Sequence, residues 1–338
     1  MHDLVEDAAA GANALGGADS INVDDLTGTG VTQVALDLES APGSGVGDGA
    51  ADTVTVNGTA GNDNIQVEGT GSSVTVAGLP ATVTIAGAEG ANDQLIVEGG
   101  AGSDVITAIG LAAGVIGLTI DGGAGNDTIT GSAGADTLIG GDGNDTVIGG
   151  RGNDVAFLGN GNATFVWNPG DGSDIVEGQA GQDTLQFNGS NVSERIDVSA
   201  NGPRLRLTRD VAAITTDADG IETVNLRLLG GSDTLTVNDL TGTAVKSVGV
   251  DLAGTDGNGD GTADTVVVNG TSGPDHVRVT SFGDQIFVAG LQPHVQIAGS
   301  ELANDTLLLQ TLDGLDSVTV DGGVFALIDP LVDLGPGQ

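Results

Sequence analysis

The chain is predicted to be all-β, a parallel β-roll or β-helix solenoid with a central nonapeptide block flanked by duplicated β-rich units. Three observations predict it. First, residues 122–130 read GGAGNDTIT, 131–139 GSAGADTLI, 140–148 GGDGNDTVI and 149–157 GGRGNDVAF. These phrases share the pattern G-G-x-G-x-D-x-U-x, with U a large apolar residue, and a nine-residue turn-plus-strand period belongs to parallel solenoids. Second, the 338 residues include 60 glycines but only 2% aromatics, with no collagen-like triplet, so turns at short intervals account for the glycine. Third, apolar residues alternate in short runs such as Thr53–Val56 and Thr234–Val237, and the three-four spacing of amphipathic helices is absent. Only Met1 to about Leu15 reads as helical or disordered.

From the N-terminus, residues 1–98 form the first copy of a longer unit. Leu15-Gly-Gly-Ala-Asp19 returns as Leu229-Gly-Gly-Ser-Asp233, and Ala51-Asp-Thr-Val-Thr-Val-Asn-Gly58 as Ala263-Asp-Thr-Val-Val-Val-Asn-Gly270. Val76-Ala-Gly-Leu79 returns as Val288-Ala-Gly-Leu291. Turn residues bound each alternating run, so the copies read as further solenoid coils. Plain β-sandwich domains are the alternative.

The nonapeptide block covers 99–186. Each repeat divides into a six-residue turn and a three-residue strand, whose middle side chain points inward. The inward series is Ile129, Leu138, Val147, Ala156, Phe165, Val176 and Leu185. In the turn, glycines at the second and fourth positions reach torsions closed to other residues and let carbonyls approach an ion. The sixth-position aspartate supplies charge. Calcium takes six to eight oxygens, mixing carboxylates with backbone carbonyls. The candidate carboxylates are Asp104, Asp127, Asp136, Asp145, Asp154, Asp174 and Asp183. The candidate turn residues around them are Gly122, Ala124, Asn126, Gly131, Ala133, Gly140, Asp142, Asn144, Gly149, Arg151 and Asn153. Zinc would need His or Cys; the chain has no cysteine, and His2, His276 and His294 are scattered.

Residues 187–228 break the repeat and carry Arg195, Arg204, Arg206, Arg209 and Arg227. An anionic-ligand patch is one reading; surface pairing with neighbouring carboxylates is preferred. Phe157, Phe165, Trp167 and Phe187 cluster where the regular frames end. They are expected to cap the core rather than form a sugar platform. Residues 229–338 form the second, degenerate copy. Within it Asp256-Gly-Asn-Gly-Asp-Gly261 starts like an EF-type loop but lacks the bidentate glutamate, with Val267 in its place, and is read as a solvated acidic turn.

With 47 acidic and 8 basic residues, a net charge of −39, the composition disfavours nucleic acid and anionic membranes. It favours multivalent cations. No stretch approaches the ~20 apolar residues of a membrane span. The start MHDLVEDAAAG lacks a signal-peptide core. Both ends, including Gly335-Pro-Gly-Gln338, suggest a portion of a longer array or capping coils.

The block resembles the RTX (repeat-in-toxin, hemolysin-type) family of secreted bacterial calcium-binding proteins. The resemblance rests on the frames from Gly122 to Val166 and on Trp167-Asn-Pro-Gly-Asp-Gly-Ser-Asp174. It implies a parallel β-roll with two nonapeptides per coil. Calcium would lie between the turns of Asp127 and Asp145, of Asp136 and Asp154, and of Asp154 and Asp174. The fifth frame has Ala163 in place of aspartate, so a site using that turn should be weak or empty. The resemblance also implies an extracellular or cell-surface location and type I secretion.

No H-E-x-x-H or G-x-S-x-G motif is present, and there is no Tyr and a single Lys, Lys246. The chain is therefore expected not to be an enzyme. The expected role is a secreted structural or adhesive module that folds on calcium, with self-association or a cell-surface polysaccharide as partner. A β-helix polysaccharide lyase or epimerase, or a non-catalytic fragment of a larger toxin or enzyme, stays open as the alternative.

Overall fold

A computed structural model describes residues 8–14 and 16–335. His2, Leu15 and the last three residues, on which parts of the sequence reading fall, lie outside them. Ala8–Asn13 is a strand, not helical or disordered as expected; its alanines pair in parallel with Val31–Asp37. Among the described residues the only helical pieces are two three-residue 3₁₀ turns.

The chain forms two units. One runs to Phe165 and adds 170–175 and 179–181; the other takes 166–169, 176–178 and the residues from Gln182 onward. The first has two sheets. One orders Ala8–Asn13, Val31–Asp37, Thr82–Ala86, Ser73–Ala77, Asn64–Thr70, Val105–Leu111, Thr128–Thr130 and Thr146–Ile148. The other orders Ser20–Val23, Thr53–Asn57, Gln94–Glu98, Gly117–Ala124, Asp136–Asp142 and Val155–Phe157. Pairing is parallel except around Ser73–Ala77, which is antiparallel to both neighbours.

The second unit repeats this plan. One sheet orders Thr184–Asn188, Thr223–Arg227, Ser247–Asp251, His294–Ala298, Gln285–Ala289, His276–Phe282 and Ser317–Val320. The other orders Ile214–Asp219, Arg204–Arg209, Arg195–Asn201, Thr234–Val237, Thr265–Asn269, Thr306–Gln310 and Asp329–Asp333. Gln285–Ala289 and Arg204–Arg209 are the antiparallel strands. The duplicated sequence thus gives the same strands twice, including the hairpin excursion.

Period-two patterning builds the core. Every member of the inward series, from Ile129 to Leu185, is fully buried. Stacking is in register: Ile129 pairs with Ile106 and Val147, and Leu138 with Ile120 and Ala156. Each such side chain other than Ala156 contributes roughly 1.5–3 kcal/mol on burial.

The aromatic expectation is met for Phe165, Trp167 and Phe187, which are buried; Phe157 is half-exposed. Trp167 and Phe187 stack at 4.2 Å between centroids. The arginine expectation needs correction at Arg209. Arg204 meets Glu177 and Asp217, and Arg227 meets Asp251, at partly exposed positions. Arg209 instead is buried, bonded to the buried carboxylate of Glu194 and lying 5.3 Å from the Trp167 ring centre. The missed signal is a glutamate in the aspartate position of a turn, Gly189-Ser-Asn-Val-Ser-Glu194, which needs a cation of its own.

Candidate metal centre

Turns stacked along the roll are joined through their aspartates. The N–H of each one donates to Oδ1 of the aspartate one coil on. The bonds run from Asp63 to Asp104, Asp104 to Asp127 and Asp127 to Asp145, each 2.8 Å. A second column runs from Asp136 to Asp154 at 2.8 Å and from Asp154 to Asp174 at 2.9 Å. The structure therefore brings together the pairs expected from the repeat: Asp127 with Asp145, Asp136 with Asp154, and Asp154 with Asp174.

The second carboxylate oxygen is treated in two ways. In Asp104, Asp127, Asp145, Asp154 and Asp174, Oδ2 is buried without a hydrogen-bond partner. These residues are 1–2% exposed. Around these oxygens lie more acceptors. A Cβ placed on Gly122 would meet both Asp127 Oδ2 and the Gly140 carbonyl at 2.6 Å. One on Gly140 would meet Asp145 Oδ2 at 2.8 Å and the Leu158 carbonyl at 2.4 Å. One on Gly149 would meet Asp154 Oδ2 at 2.7 Å. At Gly122 and Gly140, glycine keeps open a small space where carboxylate and carbonyl oxygens converge with no donor. We call this turn open.

Asp136 is different. The N–H of Ser132 donates to its Oδ2 at 2.5 Å, and the Ser132 hydroxyl donates to its Oδ1 at 2.8 Å. The hydroxyl in turn accepts from Gly134 N–H at 3.0 Å. Thr59 treats Asp63 the same way, and Thr271 treats Asp275. Glu89 and Glu301 cap Asp93 and Asp305 by their N–H alone. These turns are closed.

The second turn position separates the classes. In open turns it has positive φ: Gly100 at 96°, Gly123 at 93°, Gly141 at 103°, Gly150 at 84° and Gly170 at 109°. The N–H of Gly123 then donates to Asp121 rather than to Asp127. In closed turns Ser, Thr or Glu keeps ordinary torsions and its N–H reaches the aspartate. Asp52 departs from the rule: its Oδ2 is unpartnered, yet Asp48 at the second position does not have positive φ. Sequence could have marked the closed class, because G-[S/T]-x-G-x-D is visible at 58–63, 131–136 and 270–275.

The remaining candidate residues fill structural places around the turns. Asn126 and Asn144 accept, through Oδ1, the N–H of Asn144 and Asn162, and Asn153 accepts that of Ser173. Gly102 N–H donates to the carbonyl of Ala124, and Gly125 N–H to that of Asp142. Ala133, Arg151 and Gly131 donate to Leu111, Ser132 and Ile148. Asp142 Oδ1 accepts from Asn160 Nδ2, and Arg151 is exposed. Asp183 is buried, its N–H donating to Glu222 at 2.9 Å. Ala163 puts a buried methyl where the column would have a carboxylate.

Burial raises the pKa of these carboxyls. Asp154 is pushed up to about 8 by burial first and Asp174 nearby, against the lowering by the Asp136 N–H. Asp136 and Asp174 are pushed up to about 6, also by burial. Asp104, Asp127 and Asp145 shift upward for the same reason. A buried carboxylate facing carbonyls is costly unless a cation compensates it. Among the described residues no group of three or more His, Cys, Asp or Glu side chains gathers. A bound ion would therefore take most of its oxygens from the backbone, as calcium does and zinc does not. The residues fit calcium, which Asp127, Asp145, Asp154 and Asp174 would hold as charged ligands.

Residues 121–156, 130–164 and 170–189 match the family described as RTX calcium-binding nonapeptide repeat (4 copies). No curated protein matches the chain. Among solved structures it is similar to the extracellular lipase LipA from Serratia marcescens, at 16% identity and a TM-score of 0.18. That match covers 56% of this chain and 44% of the lipase, so the chain spans less than half of its length. Residues 121–164 and 170–189 thus carry repeats of the RTX calcium-binding type, set on stacked parallel strands of a β-roll.

Proposed function

We propose that the protein is a non-catalytic extracellular module whose roll is completed by calcium. One observation carries this reading: a row of buried carboxylate oxygens without a donor, those of Asp104, Asp127 and Asp145 beside carbonyl oxygens. Without a cation these oxygens destabilise the turns that hold a thin core. Bound calcium supplies the positive charge that offsets them. Extracellular calcium modules typically bind at ~10⁻⁴–10⁻³ M, so the open turns would be poorly compensated in a low-calcium cytosol and complete outside the cell. The net charge of −39 supports the same location, since it needs multivalent cations nearby. Type I secretion belongs to this reading through the RTX resemblance. Circular dichroism of the purified chain during a calcium titration after chelation tests it. A gain of strand signal over the titration is expected. An unchanged spectrum would count against calcium-dependent folding.

A surface partner is part of the proposal. Ser317–Val320 and Asp329–Asp333 each pair on one side only among the described strands, and Leu315 and Leu331 nearby are exposed. An open sheet edge supports self-association; electron microscopy with and without calcium would display it. A second reading is contact with acidic polysaccharide. It is favoured by a cleft of about 470 Å³ lined by Arg195 and Arg206 together with Asp197 and Asp210. Absence of turnover on acidic and neutral polysaccharides would separate binding from a lyase or epimerase.

A further inference from the structure

An open turn lies outside the nonapeptide block and lacks its glycine. Residues 228–233 read Leu-Leu-Gly-Gly-Ser-Asp. Leu229 holds the second position with φ of 70°, and Gly231 the fourth with φ of 110°. A leucine in the left-handed region is strained, because its Cβ crowds the following carbonyl. Leucine accepts here the backbone that glycine takes in the repeats.

Asp233 closes this turn and is 2% exposed. Its N–H donates to Asp264 Oδ1 at 2.9 Å, and its Oδ1 accepts from Glu194 N–H at 2.7 Å. Its Oδ2 is buried without a partner. Neighbouring charge is negative. Asp260 Oδ2 accepts from Gly231 N–H at 3.2 Å and from the Thr262 hydroxyl. Asp264, Glu194 and Asp260 all lie within electrostatic reach of Asp233. Of these, Glu194 is answered by Arg209. The next carboxylates along the column differ again, because Asp305 is capped by Glu301 N–H at 2.6 Å. Beside the turn is an open polar cleft of about 320 Å³, lined by Asn191, Gly230, Asp256, Asp260 and Thr262 among others.

We propose that the turn Leu228–Asp233 is a further divalent-cation site, selective for a hard, oxygen-seeking ion of the calcium class. Asp233 Oδ2 is its charged ligand, and Asp260 and Asp264 supply the surrounding negative potential. The site rests on the reading of open turns as calcium sites. It extends that reading to a place the glycine pattern does not mark.

The test counts bound ions. The full chain is dialysed to equilibrium against calcium chloride, and bound calcium is measured by atomic emission. Asp233→Asn and Leu229→Thr should each bind one ion fewer than the parent chain. The threonine change converts the turn to the closed type of Thr59 and Thr271. Leu229→Gly should keep the ion, and so should Asp275→Asn in a closed turn. If Asp233→Asn does not fold, by circular dichroism at saturating calcium, Leu229→Thr decides. The proposal is overturned if those two variants bind the parental number while Asp127→Asn has lost at least one. If Asp127→Asn also keeps the parental number, the calcium reading of open turns falls with it.

Discussion

The nonapeptide block and the flanking copies hold the same kind of aspartate column with a different balance of open and closed turns. In the block, successive column members are 18 to 23 residues apart, and Asp127 and Asp145 leave one oxygen each unpartnered. In the flanks they are 31 to 41 residues apart, and Asp63, Asp93, Asp275 and Asp305 are capped by a main-chain N–H four residues earlier. The short coil has no spare residues, and at Asp127 and Asp145 it leaves the second carboxylate oxygen without a donor, whereas Ser132 supplies one to Asp136. The long coil spends its surplus on a hairpin and, at those turns, supplies the donor itself. On the proposed reading, calcium dependence is a property of individual turns and follows their second position, Asp52 apart.

The largest effect should come from forcing a side chain into the stack. At Gly143, φ is 146° and a Cβ would fall 1.5 Å from the Gly125 carbonyl. Gly143→Ala should cost on the order of 4 kcal/mol or abolish the cooperative transition of the block, seen in urea denaturation at saturating calcium. At Gly71, φ is 65° and nothing lies within 4 Å. Gly71→Ala should cost only about 1 kcal/mol. Equal losses at the two positions would remove the claim that close stacking, beyond backbone torsion, demands glycine in the block.

Next comes Arg209→Met, which leaves the Glu194 carboxylate buried without its cation. A loss of about 3–5 kcal/mol is expected. It should be nearly the same in calcium and in chelator, because this turn carries its cation internally. A loss confined to one condition would blur the contrast between the two kinds of turn.

Asp127→Asn and Asp136→Asn should then differ in sign. In chelator, Asp127→Asn removes an uncompensated buried charge and offers an amide donor near the Gly140 carbonyl. The urea midpoint should rise, by about 1–3 kcal/mol in stability, while the gain on adding calcium shrinks. Asp136→Asn places an amide against the Ser132 donors and should destabilise with or without calcium, by about 1–2 kcal/mol. Ser132→Gly should move that turn toward the open class and increase the calcium response. Matching behaviour of Asp127→Asn and Asp136→Asn would erase the distinction.

The smallest effect per group is the response to pH. The folded chain holds protons on Asp154 and Asp233 up to about pH 8, and on Asp136, Asp174 and Asp264 up to about 6. In the unfolded chain the same groups release protons near the ordinary value of about 3.9. Between these limits the folded state binds more protons, so their contribution is full below the unfolded value and is lost as pH rises through the folded values. In chelator the urea midpoint should therefore fall from pH 5 to pH 8.5. Saturating calcium should flatten the slope. A midpoint that rises with pH in chelator would contradict the burial of these carboxyls.

The inward series was legible because a period of two needs only identity and spacing, and Ile129 through Leu185 obey it without exception. The carboxylate pairs were legible because a fixed repeat fixes which turns stack. The direction of Ser73–Ala77 was not, since alternation is the same for parallel and antiparallel strands. Ser132 was hidden by the frame around it, which treated the second position as a worn glycine instead of a donor. Leu229 was hidden for the opposite reason: leucine at positive φ is rare enough that its sequence neighbours give no sign. Arg209 read as a surface charge because a burial that depends on one distant glutamate leaves no local pattern.

The hairpin excursions carry a practical consequence. Their tips at Gly71 and Gly283 meet no neighbouring atoms within 4 Å, while the strands on either side keep the register of the sheet. A foreign peptide grafted at either tip would leave every stacked pair unchanged. Natural descendants of this chain could acquire new recognition loops there without rebuilding the scaffold.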